Sequence, residues 1–242
     1  MIAAETESNR GALLASISHD LRTPLAVLTG ASSSLVETGD WLSHEERTAL
    51  AESIYQQARE VSDQVDKILQ MTRIESGVIT LNRDWTDLSE IVGAVLARLS
   101  GNLAHHHVLV DIADHLPLVF ADASLIEQVL VNLLDNARRH TPPGTIVQVR
   151  ARTEAEDVVV SVVDSGPGIE EGEIERLFVK FQRGAAEGVG SGIGLGLAIC
   201  RAIVAMHGGK IWAERMLDGG SAFRFSLPLL HAPAPPVEND SA

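Results

Sequence analysis

The sequence predicts an α+β protein in which a two-helix hairpin, dimerised into a four-helix bundle, precedes an α/β sandwich. Two long runs of apolar residues at helical spacing fill the first 76 residues. From about Ser89 onward, apolar strand patterns alternate with amphipathic helix patterns. We therefore predict a hairpin over 1–76, a linker over 77–88, an α/β domain over 89–230 and a disordered, proline-rich tail over 231–242.

The hairpin is predicted from two seams of apolar residues. In the first helix, leucine recurs every seven residues, at positions 14, 21, 28 and 35. Thr38–Asp40 interrupts that pattern, and Ser43 with Glu46 has the spacing of a capping box that starts a second helix. The second seam alternates steps of four and three, at positions 54, 58, 61, 65, 68 and 72. A single hairpin cannot bury such a seam, so we expect a homodimer that closes a four-helix bundle.

The α/β region is predicted from shorter patterns. Helices are expected in SEIVGAVLARL, in DASLIEQVLVNLLDNARRH, opened by Asp122 or Ser124, and in LGLAICRAIVAMHGG. Strands are expected in HVLVDIA, TIVQVRARTE, DVVVSVVD, KIWAER and AFRFSLPL. This order favours a mixed sheet with helices packed on it.

Composition excludes several classes of function. The net charge of -14 argues against a nucleic-acid partner, because a phosphate backbone demands a basic face. The single cysteine, Cys200, excludes a disulfide framework and is interpreted as a small core side chain. No apolar stretch reaches the roughly 20 residues needed to cross a bilayer, and the polar start does not resemble a signal peptide.

The segment SHDLRTPL carries the first chemical hypothesis. At about 100° per residue, His19 lies roughly 160° from both Ile17 and Leu21, so it is predicted to face water where another domain can reach it. Asp20 can orient the imidazole and raise the nucleophilicity of its other nitrogen. Thr23, four residues on, shares the face of His19. An exposed histidine alone is usually inert surface, so the whole octapeptide carries the hypothesis.

The helix VLVNLLDNARRH supports a second chemical hypothesis, a site for Mg²⁺ and phosphate. Asn132 and Asn136 are four residues apart, so both amides project from one face. An amide oxygen can ligate Mg²⁺, its nitrogen can bind a phosphate oxygen, and Arg139 can meet a phosphate one turn beyond. The alternative is that both asparagines only cap or solvate the helix.

Two glycine-rich segments support a third chemical hypothesis, a site for the base and the phosphates of a nucleotide. In DSGPGIE, Asp164 ends a strand and can accept a hydrogen bond from an adenine amino group, while Gly166 and Gly168 let the backbone approach the base. In GSGIGLGLAIC, glycines alternate before a helix whose first amides can hold phosphate. The glycines are Gly192, Gly194 and Gly196. Residues 182–191 are a candidate lid over the nucleotide.

Two further segments receive mainly structural interpretations. Phe178 and Phe181 are predicted to lie on a short helix, where they either anchor a loop on the core or contact a ligand. The run His105–His107 is interpreted as a solvated loop, because no further ligand pattern supports a metal site.

In this order, the segments resemble the sensor histidine kinases of two-component systems. SHDLRTPL is similar to their phosphoacceptor box, NLLDNA to the asparagine box, DSGPG and GIGLGL to the two glycine boxes, and LFVKF to the phenylalanine box. Ser221 stands in the closing strand where threonine is usual, and His140 where tyrosine is common. The flanks most resemble the potassium-responsive Kdp sensor kinases.

The resemblance implies an ATP-binding domain of the gyrase, Hsp90, kinase and MutL type. It implies that His19 takes the γ-phosphoryl group, Asp20 acts as base, Asn136 ligates Mg²⁺ and Asp164 reads adenine. Leu195 and Ser221 fall within nucleotide-binding boxes. Asp20 with Thr23 matches a pattern linked to dephosphorylation of the partner.

The implied partners are a second copy of the chain and the receiver domain of a response regulator, whose aspartate accepts the phosphoryl group. The implied location is cytoplasmic, with an inner membrane reached only through upstream regions. Two alternatives stay open. A gyrase/Hsp90-type ATPase explains the last four boxes but not SHDLRTPL. A pseudokinase whose hairpin only dimerises and docks a partner does not explain the intact asparagine and glycine boxes.

Overall fold

A computed structural model of the chain describes residues 2–182 and 193–230, with side chains at Ser18 and in 21–170, 172–182 and 193–230. The described residues form two compact units. The first contains residues 2–80, 169–182 and 193–202, and the second contains 81–168 and 203–230. The predicted tail, 231–242, lies outside the described residues. Within the described part of the chain, no helix combines the length and the apolar character that crossing a membrane requires.

The first unit is built on the predicted hairpin. Helix α1 spans Ile2–Thr38 and helix α2 spans His44–Glu75, with a short 3₁₀ turn at Gly39–Trp41 between them. The capping box is confirmed, because the Glu46 amide donates to Ser43 Oγ at 3.2 Å and the Ser43 amide donates to Glu46 Oε2 at 2.8 Å. Gly77, at φ 66°, follows the end of α2.

A single hairpin leaves much of its apolar seam uncovered. Among the described side chains of α1 and α2, the buried ones are Pro24, Ala31, Gln64 and Met71. Of the predicted seam residues, Leu21 and Leu28 are only half-buried. Val65 is 39% exposed and Leu69 is 50% exposed. One copy of the chain therefore does not complete this core.

The second unit contains a five-stranded sheet and a two-stranded sheet. The large sheet contains β2 (His107–Ile112), β4 (Ile146–Glu154), β5 (Asp157–Asp164), β6 (Ile211–Arg215) and β7 (Ser221–Pro228). Their order is β2-β4-β5-β7-β6, with β2 and β4 parallel and the other pairs antiparallel. The small sheet pairs β1 (Asp84–Thr86) with β3 (Val119–Ala121). This arrangement confirms the predicted mixed α/β class.

Three helices follow the hairpin along the chain. Helix α3 spans Leu88–Leu99, α4 spans Ala123–His140 and α5 spans Gly196–Met206. Asp122 caps α4, since its Oδ1 accepts from the Leu125 amide at 3.2 Å. One face of α4 is buried and packs against β5, and α3 packs against α4. The layered α/β sandwich expected from the sequence is thus confirmed.

His207 joins the end of α5 to the start of α4. Its Nδ1 donates to the Ile203 carbonyl at 2.8 Å, and its Nε2 accepts from the Asp122 amide at 3.0 Å. Both ring nitrogens are therefore used by a neutral imidazole. Burial lowers the pKa of His207, in agreement with that assignment.

Candidate functional site

A buried carboxylate stands at the end of β5. Asp164 is the last residue of that strand and is 6% exposed. Its Oδ1 accepts from the Gly166 amide at 2.9 Å, and it also accepts from the amide and hydroxyl of Ser221, its partner across the β5–β7 ladder. Burial raises the pKa of Asp164, and the hydrogen bonds from Gly166 and Ser221 oppose that shift. Asp164 is thus a fixed acceptor whose charged form has lost much of its hydration.

Glycines allow the turn after Asp164 to close tightly. A Cβ on Gly166 would lie 2.6 Å from the Thr141 methyl carbon and 2.8 Å from Asp164 Oδ1. Gly168, at φ 82°, would place a Cβ 2.9 Å from the Gly220 carbonyl oxygen. Gly220, at φ 89°, would place one 1.9 Å from the Asp164 carbonyl oxygen. This packing requires glycine at 166 and 168, while the predicted approach of their backbone to a base stays a prediction. Gly220 is a further glycine requirement that the sequence did not predict.

Helix α4 supplies two half-buried carboxamides. Asn132 and Asn136 both lie on α4 and are partly exposed. The Nδ2 atom of Asn132 is buried and has no hydrogen-bond partner. A buried amide donor without an acceptor is costly, so this nitrogen is suited to an acceptor supplied by a ligand.

The guanidinium group of Arg139 is held by its own helix. Its Nε donates to Asp135 Oδ2 at 2.8 Å, while Asp135 Oδ1 accepts from Arg138 Nη2 at 2.7 Å. Asp135 therefore orients both arginines at the end of α4. The phosphate contact predicted for Arg139 would have to use its other nitrogens or break this pair.

Two residues beside the turn were not predicted to belong to the site. Thr141, which follows α4, is 8% exposed, and its Oγ1 donates to the Ala137 carbonyl at 2.7 Å. His106 Nε2 lies 3.0 Å from the same Oγ1. The interpretation of His105–His107 as a solvated loop is therefore wrong for His106, whose ring is half-buried against the residue that follows α4. The sequence offered no signal for this contact, because it joins segments 35 residues apart.

The second glycine segment is described from Ile193 onward, so Gly192 and most of the predicted lid, 183–191, lie outside the described residues. Gly194 has φ 67°, and a Cβ there would meet the Gln182 carbonyl oxygen at 2.6 Å. Leu195 is buried, so only its backbone is available to a ligand. Gly196 is the first residue of α5, as expected for a loop that leads into a helix.

The predicted short helix at the phenylalanines is wrong. The helical turn is a 3₁₀ helix at Glu171–Arg176, which ends before both rings. Phe178 is buried, in keeping with the predicted anchoring role, but Phe181 has φ 60° and donates its amide to the Gly194 carbonyl at 3.0 Å. A left-handed residue cannot continue a right-handed helix.

The backbone of His19 and Asp20 lies within α1, and their side chains are outside the described residues. Ser18 is exposed, Thr23 is half-buried, and Pro24 lies inside the helix. The predicted orientation of His19 stays a prediction.

Sequence and structure comparisons place the chain among known proteins. Residues 9–77 match the family described as His Kinase A (phospho-acceptor) domain, and residues 121–231 match the Histidine kinase-, DNA gyrase B-, and HSP90-like ATPase family. The sensor protein KdpD of Escherichia coli (strain K12) is 41% identical over 96% of this chain and 26% of its own length.

Solved structures agree with these matches. A mycobacterial sensor histidine kinase, MprB, is 30% identical, with a TM-score of 0.55 over 60% of this chain and 97% of its own. The histidine kinase ThkA in complex with the response regulator protein TrrA is 26% identical, with a TM-score of 0.74 over 94% of this chain and 64% of its own.

The chain belongs to the sensor histidine kinases of two-component systems. It spans about a quarter of the length of the KdpD relatives that it matches.

Proposed function

We propose that the chain is the catalytic core of an ATP-dependent protein-histidine autokinase. It phosphorylates His19 and passes the phosphoryl group to an aspartate of a response regulator. The observation that carries the proposal is a pair of poorly solvated polar groups in the second unit. Asp164 offers a desolvated acceptor, and Asn132 offers a donor without a partner. ATP satisfies both, because its adenine amino group donates and its phosphates accept.

The site residues of the second unit have distinct proposed roles. Asp164 accepts from the adenine amino group, and Ser221 holds its carboxylate in place. Gly166 and Gly168 allow the base to approach the backbone. Asn132 and Arg139 bind phosphate oxygens.

The backbone amides of the second glycine segment are proposed to bind the phosphates at the start of α5. These residues are Gly192, Gly194, Leu195 and Gly196.

Asn136 is the proposed protein ligand of Mg²⁺. Among the described residues, no group of three or more His, Cys, Asp or Glu side chains is arranged to hold a metal. A half-buried amide oxygen fits a Mg²⁺ ion that takes its other ligands from phosphate and water. The ion would neutralise charge on the phosphates.

The proposed transfer uses His19 as nucleophile. A ring nitrogen of His19 bonds to the γ-phosphorus as the bond from that phosphorus to the bridging oxygen breaks and leaves ADP. Asp20 takes the proton of the other ring nitrogen. The aspartate carboxylate of the partner then attacks the phosphorus of phosphohistidine, and the imidazole leaves. Positioning and charge neutralisation lower the barrier more than covalent assistance does.

Autophosphorylation is tested by incubating the chain with γ-labelled ATP and Mg²⁺. We expect an acid-labile label on the wild type and on the His44→Gln control, which removes an exposed histidine of α2. The label should be lost in His19→Gln. Acid-labile label retained on His19→Gln would rule out His19 as the acceptor.

Nucleotide binding is tested by calorimetric titration with ADP in the presence of Mg²⁺. Asp164→Ala and Asn136→Ala should weaken binding by at least about tenfold, because each removes a charged or metal-linked contact. Asn102→Ala, which changes an exposed asparagine, is the matched control. Unchanged affinity in both site variants would reject the proposed site.

The proposed partners follow from the hairpin and the relatives. ThkA was solved with a response regulator, which supports a receiver domain as partner here. Val65 of the predicted seam and the nearby Leu69 on α2 are both exposed, which supports a homodimer. Leu69→Glu should shift the chain toward monomer in sedimentation equilibrium, whereas Leu217→Glu, at a fully exposed site in the second unit, should not. Equal dimer affinity in both variants would count against this interface.

Proposals for dephosphorylation, the signalling pathway and membrane attachment rest on the resemblance of this chain to other sensor histidine kinases. Thr23, one turn after His19, is proposed to support dephosphorylation of the partner, which Thr23→Ala would abolish while autophosphorylation persists. The similarity to KdpD supports a place in potassium signalling and attachment to an inner membrane through other parts of a longer protein. Phosphotransfer profiling against purified response regulators tests that assignment.

A further inference from the structure

We propose that His106 is a positioning residue of the nucleotide site, acting through Thr141 on the turn that presents Asp164. The proposal rests on the proposed function, since it assumes that Asp164 contacts the base. All the contacts that carry it lie within the second unit.

The direction of each hydrogen bond follows from the protons available. The hydroxyl of Thr141 has one proton, and it is donated to the Ala137 carbonyl, 2.7 Å away. The contact between His106 Nε2 and Thr141 Oγ1, at 3.0 Å, therefore requires Nε2 to carry the proton. The ring thus donates, and the hydroxyl is held from both sides.

This bond fixes the side chain of Thr141 about its χ1 torsion. Its methyl carbon then faces Gly166, so near that a Cβ added there would lie 2.6 Å from it. The amide of Gly166 in turn donates to Asp164 Oδ1 at 2.9 Å. A chain of contacts therefore runs from His106 through Thr141 and Gly166 to the carboxylate.

The backbone holds the imidazole where it can act. The His106 amide donates to the Leu103 carbonyl at 2.8 Å, and the neighbouring His105 carbonyl accepts from Gly144 at 2.7 Å. The His107 amide donates to the Thr145 carbonyl at 3.0 Å. The segment is thus tied to the same turn that follows Thr141, which fixes the distance between ring and hydroxyl.

Burial of the His106 ring also has an unfavourable free-energy term, because one of its nitrogens lacks a hydrogen-bond partner. His106 Nδ1 is buried and has no hydrogen-bond partner, while Nε2 is the donor. An aliphatic side chain would fill the space without an orphaned acceptor. The hydrogen bond from Nε2 goes to Thr141, the residue beside Gly166.

The first test compares His106→Leu with His106→Gln, which can restore an N–H donor, and with His105→Leu, which alters an exposed neighbour. The readouts are the KM for ATP and the maximal rate of autophosphorylation. In His106→Leu, KM should rise about threefold to tenfold, the size expected for one hydrogen bond, while the maximal rate changes less than about twofold. His106→Gln should recover most of the affinity, and His105→Leu should match the wild type.

The second test uses the packing of Thr141 on Gly166. Gly166→Ala should weaken ADP binding, because its new Cβ meets the Thr141 methyl. Adding Thr141→Ser, which keeps the hydroxyl and removes that methyl, should restore part of the affinity. Thr141→Val keeps both branches but loses the hydroxyl, so it should raise KM as His106→Leu does.

Asp164→Ala in the same assays distinguishes a failure of the positioning role of His106 from a failure of the proposed nucleotide site. If it loses ADP binding while the His106 and Thr141 variants keep the wild-type KM, the positioning role is overturned and the site stands. If Asp164→Ala binds ADP normally, the proposed site itself fails and this role fails with it. A fall in melting temperature of the His106 variants with KM unchanged would also overturn the proposal, since it would indicate a purely structural bond.

Discussion

Replacing Gly220 by alanine should damage the proposed nucleotide site by direct collision with the backbone of Asp164, and the neighbouring Gly219 provides the control. Both residues have nearly the same backbone conformation, with φ 89° at Gly220 and φ 87° at Gly219. An alanine in that region costs about 1–2 kcal/mol at either position. The two sites differ in what the new Cβ meets. At Gly219 its nearest neighbour is the Gly166 carbonyl oxygen at 3.9 Å, whereas at Gly220 the Asp164 carbonyl oxygen is 1.9 Å away.

The size of the difference follows from this distance. An ordinary carbon–oxygen contact is about 3.3 Å or longer, so the Asp164 backbone or the 219–220 turn would have to move by roughly 1.4 Å. Forced overpacking of this kind costs about 1–3 kcal/mol. Gly219→Ala should therefore cost about 1–2 kcal/mol and Gly220→Ala about 2–5 kcal/mol.

Thermal unfolding followed by circular dichroism, with and without ADP, measures both consequences. For a chain of this size, 1 kcal/mol corresponds to about 2–4 °C in Tm, so Gly220→Ala should melt several degrees below Gly219→Ala. It should also lose the stabilisation by ADP, because the shift displaces Asp164, whereas Gly219→Ala should retain it. Equal melting temperatures and equal ADP shifts in the two variants would show that the turn yields freely and refute the reasoning.

Three further outcomes are expected. Burial raises the pKa of the Asp164 carboxyl above its ordinary value of 3.8, so ionisation of this group destabilises the folded state as pH rises past that value. Asp164→Asn should therefore raise Tm at pH 7 but not at pH 3, while the affinity for ADP falls. Burial lowers the pKa of His207, so stability should fall as pH drops below 6.5, and a His207→Gln variant that melts with the same pH dependence would contradict this. Ser43→Ala should cost about 1 kcal/mol through loss of the α2 cap, whereas Ser62→Ala, exposed within α2, should cost nothing measurable by urea unfolding.

The features that could be predicted from the sequence are those encoded locally. The capping box at Ser43 and the cap at Asp122 are signals confined to four residues, and both are confirmed by hydrogen bonds. Asp164 at a strand end was predicted because an apolar run stops there and glycines follow. The failed prediction at Phe181 is also local in cause, because a left-handed residue at that position cannot be inferred from phenylalanine.

The features that could not be predicted depend on pairing between distant segments. Gly220 belongs to the site because the β5–β7 register sets Asp164 opposite Ser221. The contact of His106 with Thr141 depends on the parallel pairing of β2 with β4, which brings two loops together at one edge of the sheet. No periodicity along the chain carries that information, since registers are fixed by long-range packing.

Two polar groups of the proposed site are poorly solvated in the ligand-free protein. Asp164 is held as a desolvated carboxylate, and Asn132 has a buried donor without a partner. The lost hydration of Asp164 and the unpaired donor of Asn132 each raise the free energy of the ligand-free protein. A ligand that supplies a donor to Asp164 and an acceptor to Asn132 offsets both penalties. In the proposed function, one ATP molecule supplies both groups and loses its translational freedom once, whereas two separate fragments each lose theirs. Fragments should therefore stabilise the protein less than the whole nucleotide does. Adenosine and inorganic triphosphate, added together, should therefore raise Tm by less than ATP at the same concentration, and an equal shift would show that the two groups do not act on one ligand.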